Sequence, residues 1–136
     1  MTRRKGNRRE RQAEQMYQRA GYKTEICRGL RWGRTDWFGL FDVMAIKEGH
    51  KVRFAQVKSN QVSDVNGWIA KARRFCDPKH VALDYLVCHD YKGWRFIQES
   101  SDGYETVFDE RKEDCNMGEG LTEFLRNGGA EYSTTE

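Results

Sequence analysis

Apolar residues at Ala13, Met16, Tyr17 and Ala20 follow the i, i+3, i+4, i+7 spacing of one helix face, and Gly21 supplies a stop. The helix is expected to begin near Asn7 or Arg8. At about 100° per residue, Glu10 falls nearer the centre of the apolar stripe than Glu14 does, so Glu10 is the acid expected to face inward. Tyr22 to Cys27 alternate as a strand, and residues 28–39 (RGLRWGRTDWFG) read as a loop. Leu40 to Ile46 and Val52 to Lys58 form two strands around a turn at Glu48-Gly49. Ser63 or Asp64 caps a second helix, whose Trp68, Ile69, Ala72, Phe75 and Cys76 share a face and which ends before Pro78.

Val81 to Cys88 is apolar on both faces apart from Asp84, the pattern of a central strand, and Trp94 to Gln98 follows after a turn at Tyr91-Lys92-Gly93. Beyond Glu99 the pattern weakens to a short helix marked by Leu121, Phe124 and Leu125, then a polar tail. The order of elements predicts an α/β fold, a central mixed five-stranded sheet flanked by helices. Three regions are expected: a flexible basic arm over 1–9, a core over 10–98, and an acidic extension over 99–136 with a short helix and a disordered tail.

At 136 residues the chain suits one domain of roughly 100 to 200 residues, and its 38% hydrophobic content suffices for a core. No stretch approaches the roughly 18 apolar residues of a membrane span, and the Arg-rich start lacks the apolar segment of a secretion signal. A soluble, cytoplasmic protein is expected. Cys27, Cys76, Cys88 and Cys115 form no CxxC pair and read as reduced thiols.

The net charge of +3 conceals an asymmetry: residues 1–34 carry +8, residues 35–98 carry +3 and residues 99–136 carry −8. A basic front points to a polyanion partner, because clustered Lys and Arg release counterions on meeting phosphates. The alternative is a solvated basic arm without a partner.

Asp42 interrupts the apolar run LFDVMAI, where an ionised carboxylate needs a cation or strong donors to meet it. If its strand and the next form a hairpin symmetric about Gly49, Ile46 faces Val52 and Asp42 faces Gln56, with Lys58 on the same side two residues on. A carboxylate, an amide oxygen and an ammonium then converge. Such a patch suits phosphodiester hydrolysis, with Asp42 and Gln56 as hard oxygen ligands for Mg²⁺ and Lys58 orienting or deprotonating water or stabilising developing charge. A structural Asp42–Lys58 ion pair is the alternative reading.

The run from Asp42 to Ile46, its spacing to Gln56-Val57-Lys58-Ser59 and the preceding helix resemble the PD-(D/E)xK nuclease superfamily. Gly6 to Arg11 (GNRRER), followed by Gly21-Tyr22, is similar to the opening helix of archaeal Holliday junction resolvases, and Arg28 stands where those enzymes keep an arginine. The resemblance spans about residues 6–98. It implies a restriction-endonuclease-like core and a metal-dependent DNA endonuclease, selective for branched DNA and working as a homodimer. It implies catalytic residues Glu10, Asp42, Gln56 and Lys58, and a Mg²⁺ site of Glu10, Asp42, Gln56 and Val57 in which Mn²⁺ can substitute. The DNA contacts expected are Arg8, Arg9, Arg11, Arg28, Arg31, Trp32, Arg34 and Ser59. Two positions depart from the family pattern: Gln56 replaces the usual Glu, as in QxK variants, and Phe41 replaces the proline before the aspartate. Loss of a full charge at position 56 lowers the expected metal affinity.

Asp36 and Glu14 are weaker ligand candidates, since Asp36 sits in a loop that an acid commonly caps. The Arg/Trp loop, including Trp37, either grips DNA or covers the sheet, and Lys71, Arg73 and Arg74 either reach a backbone or form a solvated helix face. His50, His80 and His89 with the cysteines lack zinc-ligand spacing. Two rivals stand beside the nuclease: a non-catalytic DNA-binding protein with a degenerate nuclease fold, and an RNA-directed nuclease.

Overall fold

In a computed structural model the described residues are 2–26 and 40–128, with side chains described from Arg8 onward. Helix α1 (Thr2–Arg19) starts ahead of the expected Asn7 or Arg8. It ends as its sequence predicts: Gly21 takes φ 101°, its N–H donates to the Gln18 carbonyl, and the Tyr22 N–H reaches back to the Tyr17 carbonyl at 3.0 Å. This Schellman closure satisfies carbonyls that the last turn leaves open, and the Tyr22 ring meets Tyr17 edge-on at 5.8 Å.

The sheet contains β1 (Lys23–Ile26), β2 (Val43–Ile46), β3 (Val52–Ser59), β4 (Val81–His89), β5 (Gly93–Ser100) and β6 (Gly103–Asp109), arranged in chain order. Strands β3 and β4 pair parallel and the other neighbours antiparallel. The parallel pair requires a crossover, and α2 (Val65–Arg73) provides it. Asp64 caps α2, accepting from the Gly67 N–H at 3.1 Å. Among the described residues the sheet has six strands rather than the expected five, because β6 forms from an acidic segment with little apolar alternation. Its stability comes from pairing with β5 and from Phe108, which stacks on Phe124 of α3 (Glu119–Arg126) at 4.9 Å. Phe75, expected on the buried face of the second helix, lies beyond the last turn of α2 and is 81% exposed.

One face of the sheet packs on α1 and α3 through Ala55, Val57, Leu86, Cys88, Trp94 and Phe96. The other packs on α2 through Leu83, Tyr85, Val87 and Ile97. Side chains alternate along β3, so Arg53, Ala55 and Val57 face α1 while Phe54, Gln56 and Lys58 face the α2 side.

The direction of α1 follows from two anchors. Deep in the core, Tyr17 donates its hydroxyl to Asp84 Oδ2, and Arg53 donates Nη1 to both Asp84 oxygens at 3.1 Å and Nε to the Tyr22 hydroxyl at 3.1 Å. Burial opposes the Arg53 charge, but Asp84 and the two tyrosines outweigh it and hold the guanidinium protonated. Burial and then Asp84 push the Tyr17 phenol well up, so it stays a donor. Near the other end, Arg9 donates to Asp90, just past β4. Helix α1 therefore runs antiparallel to β3 and β4, its early turns lying at their C-terminal ends.

Candidate active site

Strands β2 and β3 pair with Val43 opposite Ala55, Met44 opposite Phe54 and Ala45 opposite Arg53. These pairs follow the register of a hairpin symmetric about Gly49, whose φ of 81° makes the turn, and the ladder ends at Val43 before it reaches the expected pairing of Asp42 with Gln56. At Asp42 the ladder changes character. Its N–H still donates to the Ala55 carbonyl at 2.8 Å, but the Val57 N–H is taken by Asp42 Oδ2 at 2.9 Å. A side-chain oxygen thus replaces a main-chain carbonyl and pins the buried carboxylate where β2 parts from β3.

Gln56 lies opposite Tyr85 of β4. The Tyr85 hydroxyl is already occupied, accepting from the Ser63 N–H at 3.1 Å and donating to the Ser63 carbonyl at 3.0 Å. Burial holds this phenol up, with the Ser63 N–H pulling the other way. Gln56 Oε1 is left buried with no hydrogen-bond partner among the described residues. Such an acceptor costs about 1–3 kcal/mol, so a group absent from the chain itself would be favoured there. Lys58, half-buried, follows on the same face opposite Val87, and Ser59 lies opposite Cys88.

Glu10 is buried on α1 beside Arg9. The Arg9 guanidinium donates to Gln12 at 2.8 Å as well as to Asp90. Asp90 is also tied to Asn60: its N–H donates to Asn60 Oδ1 at 2.8 Å, and Asn60 Nδ2 donates to Asp90 Oδ2 at 3.0 Å. These bonds fasten the middle of α1 to the chain just after Lys58 and Ser59, so Glu10 is held at the same end of the sheet as Asp42, Gln56 and Lys58. Arg9, expected to contact DNA, is instead buried in this clamp, while Arg8 and Arg11 are exposed. Glu14 accepts from Thr24 Oγ1 at 2.8 Å, towards β1.

Arg73 is held by Glu99 and by the Cys76 and Val81 carbonyls, a structural role, whereas Lys71 and Arg74 are exposed. Arg28, Arg31, Trp32, Arg34, Asp36 and Trp37 lie outside the described residues. Among the described residues no three His, Cys, Asp or Glu side chains gather to hold a metal. Cys76, Cys88 and Cys115 are thiols and form no disulfide among the described residues.

Searches against family models and curated proteins give no match. A solved structure does match, that of Hjc, a Holliday junction resolvase from the archaeal hyperthermophile Archaeoglobus fulgidus. The chain shares the fold of Hjc. The TM-score is 0.52 at 16% identity, over 71% of this chain and 82% of that one. Among the described residues, no helix of this Hjc-like fold is long and apolar enough to cross a membrane.

Sequence reading missed the polar centre beneath this site. Asp84 is the lone carboxylate of an apolar strand and Arg53 a charge among apolar residues of the neighbouring strand, and that coincidence was the available signal. Gln98, which also donates to Asp84 at 3.2 Å, carried none. Glu110 was missed too: its buried carboxylate accepts from the N–H groups of Trp94, Gly118 and Leu121, tying the start of α3 to β5.

Proposed function

We propose that the chain is a metal-dependent DNA endonuclease of the PD-(D/E)xK type. The observation that carries this reading is the buried Gln56 oxygen, without a hydrogen-bond partner among the described residues, next in the chain to the Val57 N–H that pins Asp42, on an Hjc-like fold. Two oxygen donors of different charge on one edge, with Val57 offering its carbonyl and Glu10 at the same end, suit a hard divalent cation such as Mg²⁺ or Mn²⁺. When bound, that ion lowers the pKa of water and offsets charge on the phosphate.

The chain's own groups do the rest. Asp42 is held by the Val57 N–H and cannot swing away, so its other oxygen keeps a fixed aim. Lys58, on the face of β3 that carries Gln56, orients the attacking water or balances charge on the pentacoordinate phosphorus. Arg8 and Arg11, exposed midway along α1, meet backbone phosphates without reading bases. Two copies of the chain would offer paired sites to a branched DNA, as the resemblance to resolvases implies.

The test is incubation with Mg²⁺ or Mn²⁺ and a four-way junction, flap, duplex, single strand and RNA. Cleavage of DNA by the parent is expected, with Asp42→Asn and Lys58→Ala inactive but still binding DNA. Cutting by Asp42→Asn at the parental rate removes the site assignment, and preference for RNA redirects the substrate. A second reading, a DNA-binding protein with a degenerate site, is favoured by the missing third carboxylate around Asp42 and Gln56 among the described residues. Metal-independent binding with no cleavage of any substrate selects it.

A further inference from the structure

The sheet face that carries Gln56 and Lys58 continues beyond them as a charged row. Lys58 lies opposite Val87, Val87 opposite Arg95, and Arg95 opposite Asp109, so the row crosses β3, β4, β5 and β6. His89, two residues past Val87, shares the face. Arg111 returns to Asp109, donating Nε at 2.9 Å and Nη2 at 2.8 Å, and Arg95 donates Nε to Thr106 Oγ1 at 2.7 Å. Each guanidinium carries five N–H donors, so both are oriented with donors to spare. Helix α2 covers the rest of this face, around Leu83, Tyr85, Val87 and Ile97, so the row runs past a buried Val87 at the edge of that cluster.

Two features in this region have no use within the fold. His89 Nε2 is buried without a hydrogen-bond partner among the described residues. Burial, then Arg111, Arg95 and Lys92, hold this imidazole below the usual histidine range against the opposing pull of Asp109, so cations crowd a neutral ring. At the tip of the β4–β5 turn, Tyr91 is 99% exposed and its backbone takes φ 63°. Asn or Asp is the common choice for that conformation, and a ring standing in solvent buries nothing.

We infer that this face is a track for single-stranded DNA, with Lys58, Arg95, Arg111 and His89 lining the path of the phosphates and Tyr91 stacking on an unpaired base at its end. A cationic groove with an aromatic platform is how single strands are held without sequence readout, since every base offers a π-face once it leaves the duplex. Asp109 neutralises one cation of the row, and Asp90, in the same turn, is already paired with Arg9. The inference rests on the nuclease reading for the position of the scissile phosphate. It gives that reading a substrate class: DNA unpaired on one side of the cut, as in a flap or frayed branch.

The test reads binding without divalent metal, so it is independent of cleavage. The probes are a fluorescein-labelled single strand, the matching duplex, and a single strand carrying 2-aminopurine to report stacking. The parent is expected to prefer the single strand and to quench 2-aminopurine. Tyr91→Asn suits the left-handed turn but lacks the ring, and is expected to weaken single-strand binding roughly tenfold and to abolish the quench. Arg95→Gln and Arg111→Gln are each expected to reduce the log–log salt slope by about 0.7. Lys79→Gln, at the far end of β4, should leave the slope as in the parent. Parental affinity, quench and slope in the Tyr91 and Arg variants overturn the track, as does a parent that ignores single strands. A parent that binds as described but cuts nothing with metal defeats the nuclease reading and leaves the track standing.

Discussion

Replacing Gln56 by Glu tests the candidate site most directly, because it changes one atom's charge at the position where an acceptor is buried without a partner. Gln56 directly precedes Val57, whose N–H holds Asp42, so a new carboxylate there shares the site with Asp42, and a separation on the order of 5 Å sizes their repulsion. Asp42 is fixed by its bond from the Val57 N–H and cannot retreat. Two unit charges at that distance repel by about 3 kcal/mol at an effective dielectric near 20. Lys58 on the same face returns part of this, leaving a metal-free loss on the order of 2 kcal/mol, or roughly 5–10 °C in Tm for a domain of this size. A divalent cation between the two carboxylates reverses the sign. Mg²⁺ is therefore expected to raise the Tm of Gln56→Glu by several degrees more than that of the parent, and to reach half-maximal cleavage at lower concentration. Melting with Mg²⁺ and with EDTA, and a Mg²⁺ titration of cleavage, measure both. Equal metal-induced shifts in the two proteins would refute the reasoning and leave Gln56 a residue without a ligand role.

Arg53→Met is expected to cost about 3–5 kcal/mol in urea unfolding, because it strands a fully buried Asp84 carboxylate; a loss of the size typical of surface pairs would show that water reaches the network. His89 is held below its ordinary range, chiefly by burial, so the unfolded chain takes up a proton that the folded one refuses as pH falls through about 6.5. That penalty is absent at higher pH and grows on the acid side, so His89→Gln is expected to flatten the decline in stability between roughly pH 7 and pH 5; an unchanged slope would count against it. Neutralising the exposed Arg8 and Arg11 together is expected to lower duplex affinity uniformly across sequences and to reduce the salt slope by about 0.9 for each phosphate left without its arginine, and a parental slope would place DNA elsewhere.

Local rules carried much of the fold. The Ala13, Met16, Tyr17 and Ala20 stripe, the Gly21 stop, the Asp64 cap and the hairpin register through Gly49 are all readable from residues close in sequence, because helix period, capping and turn chemistry act over a few residues. That register sets Gln56 and Lys58 on one face of β3, but it ends at Val43, where Asp42 leaves the ladder to accept from the Val57 N–H. Strand β6 escaped notice because its sequence, GYETVFD, has weak alternation and gains its place from β5 and from Phe124.

Only the tertiary structure decided which charges are structural. Arg9 looked like any other residue of a basic run, yet Asp90, remote in sequence, draws it into a buried clamp, while its neighbours Arg8 and Arg11 stay in solvent. Arg53 and Asp84 became one network only when a parallel crossover laid β3 beside β4. The alignment of Lys58 with Arg95 and Asp109 likewise exists only across the assembled sheet. Sequence determines which side chains can carry charge and which face of its own element each one takes. The partner that neutralises a charge, or leaves it available to a ligand, comes from packing between distant strands, and pairing of that kind depends on the sheet as a whole.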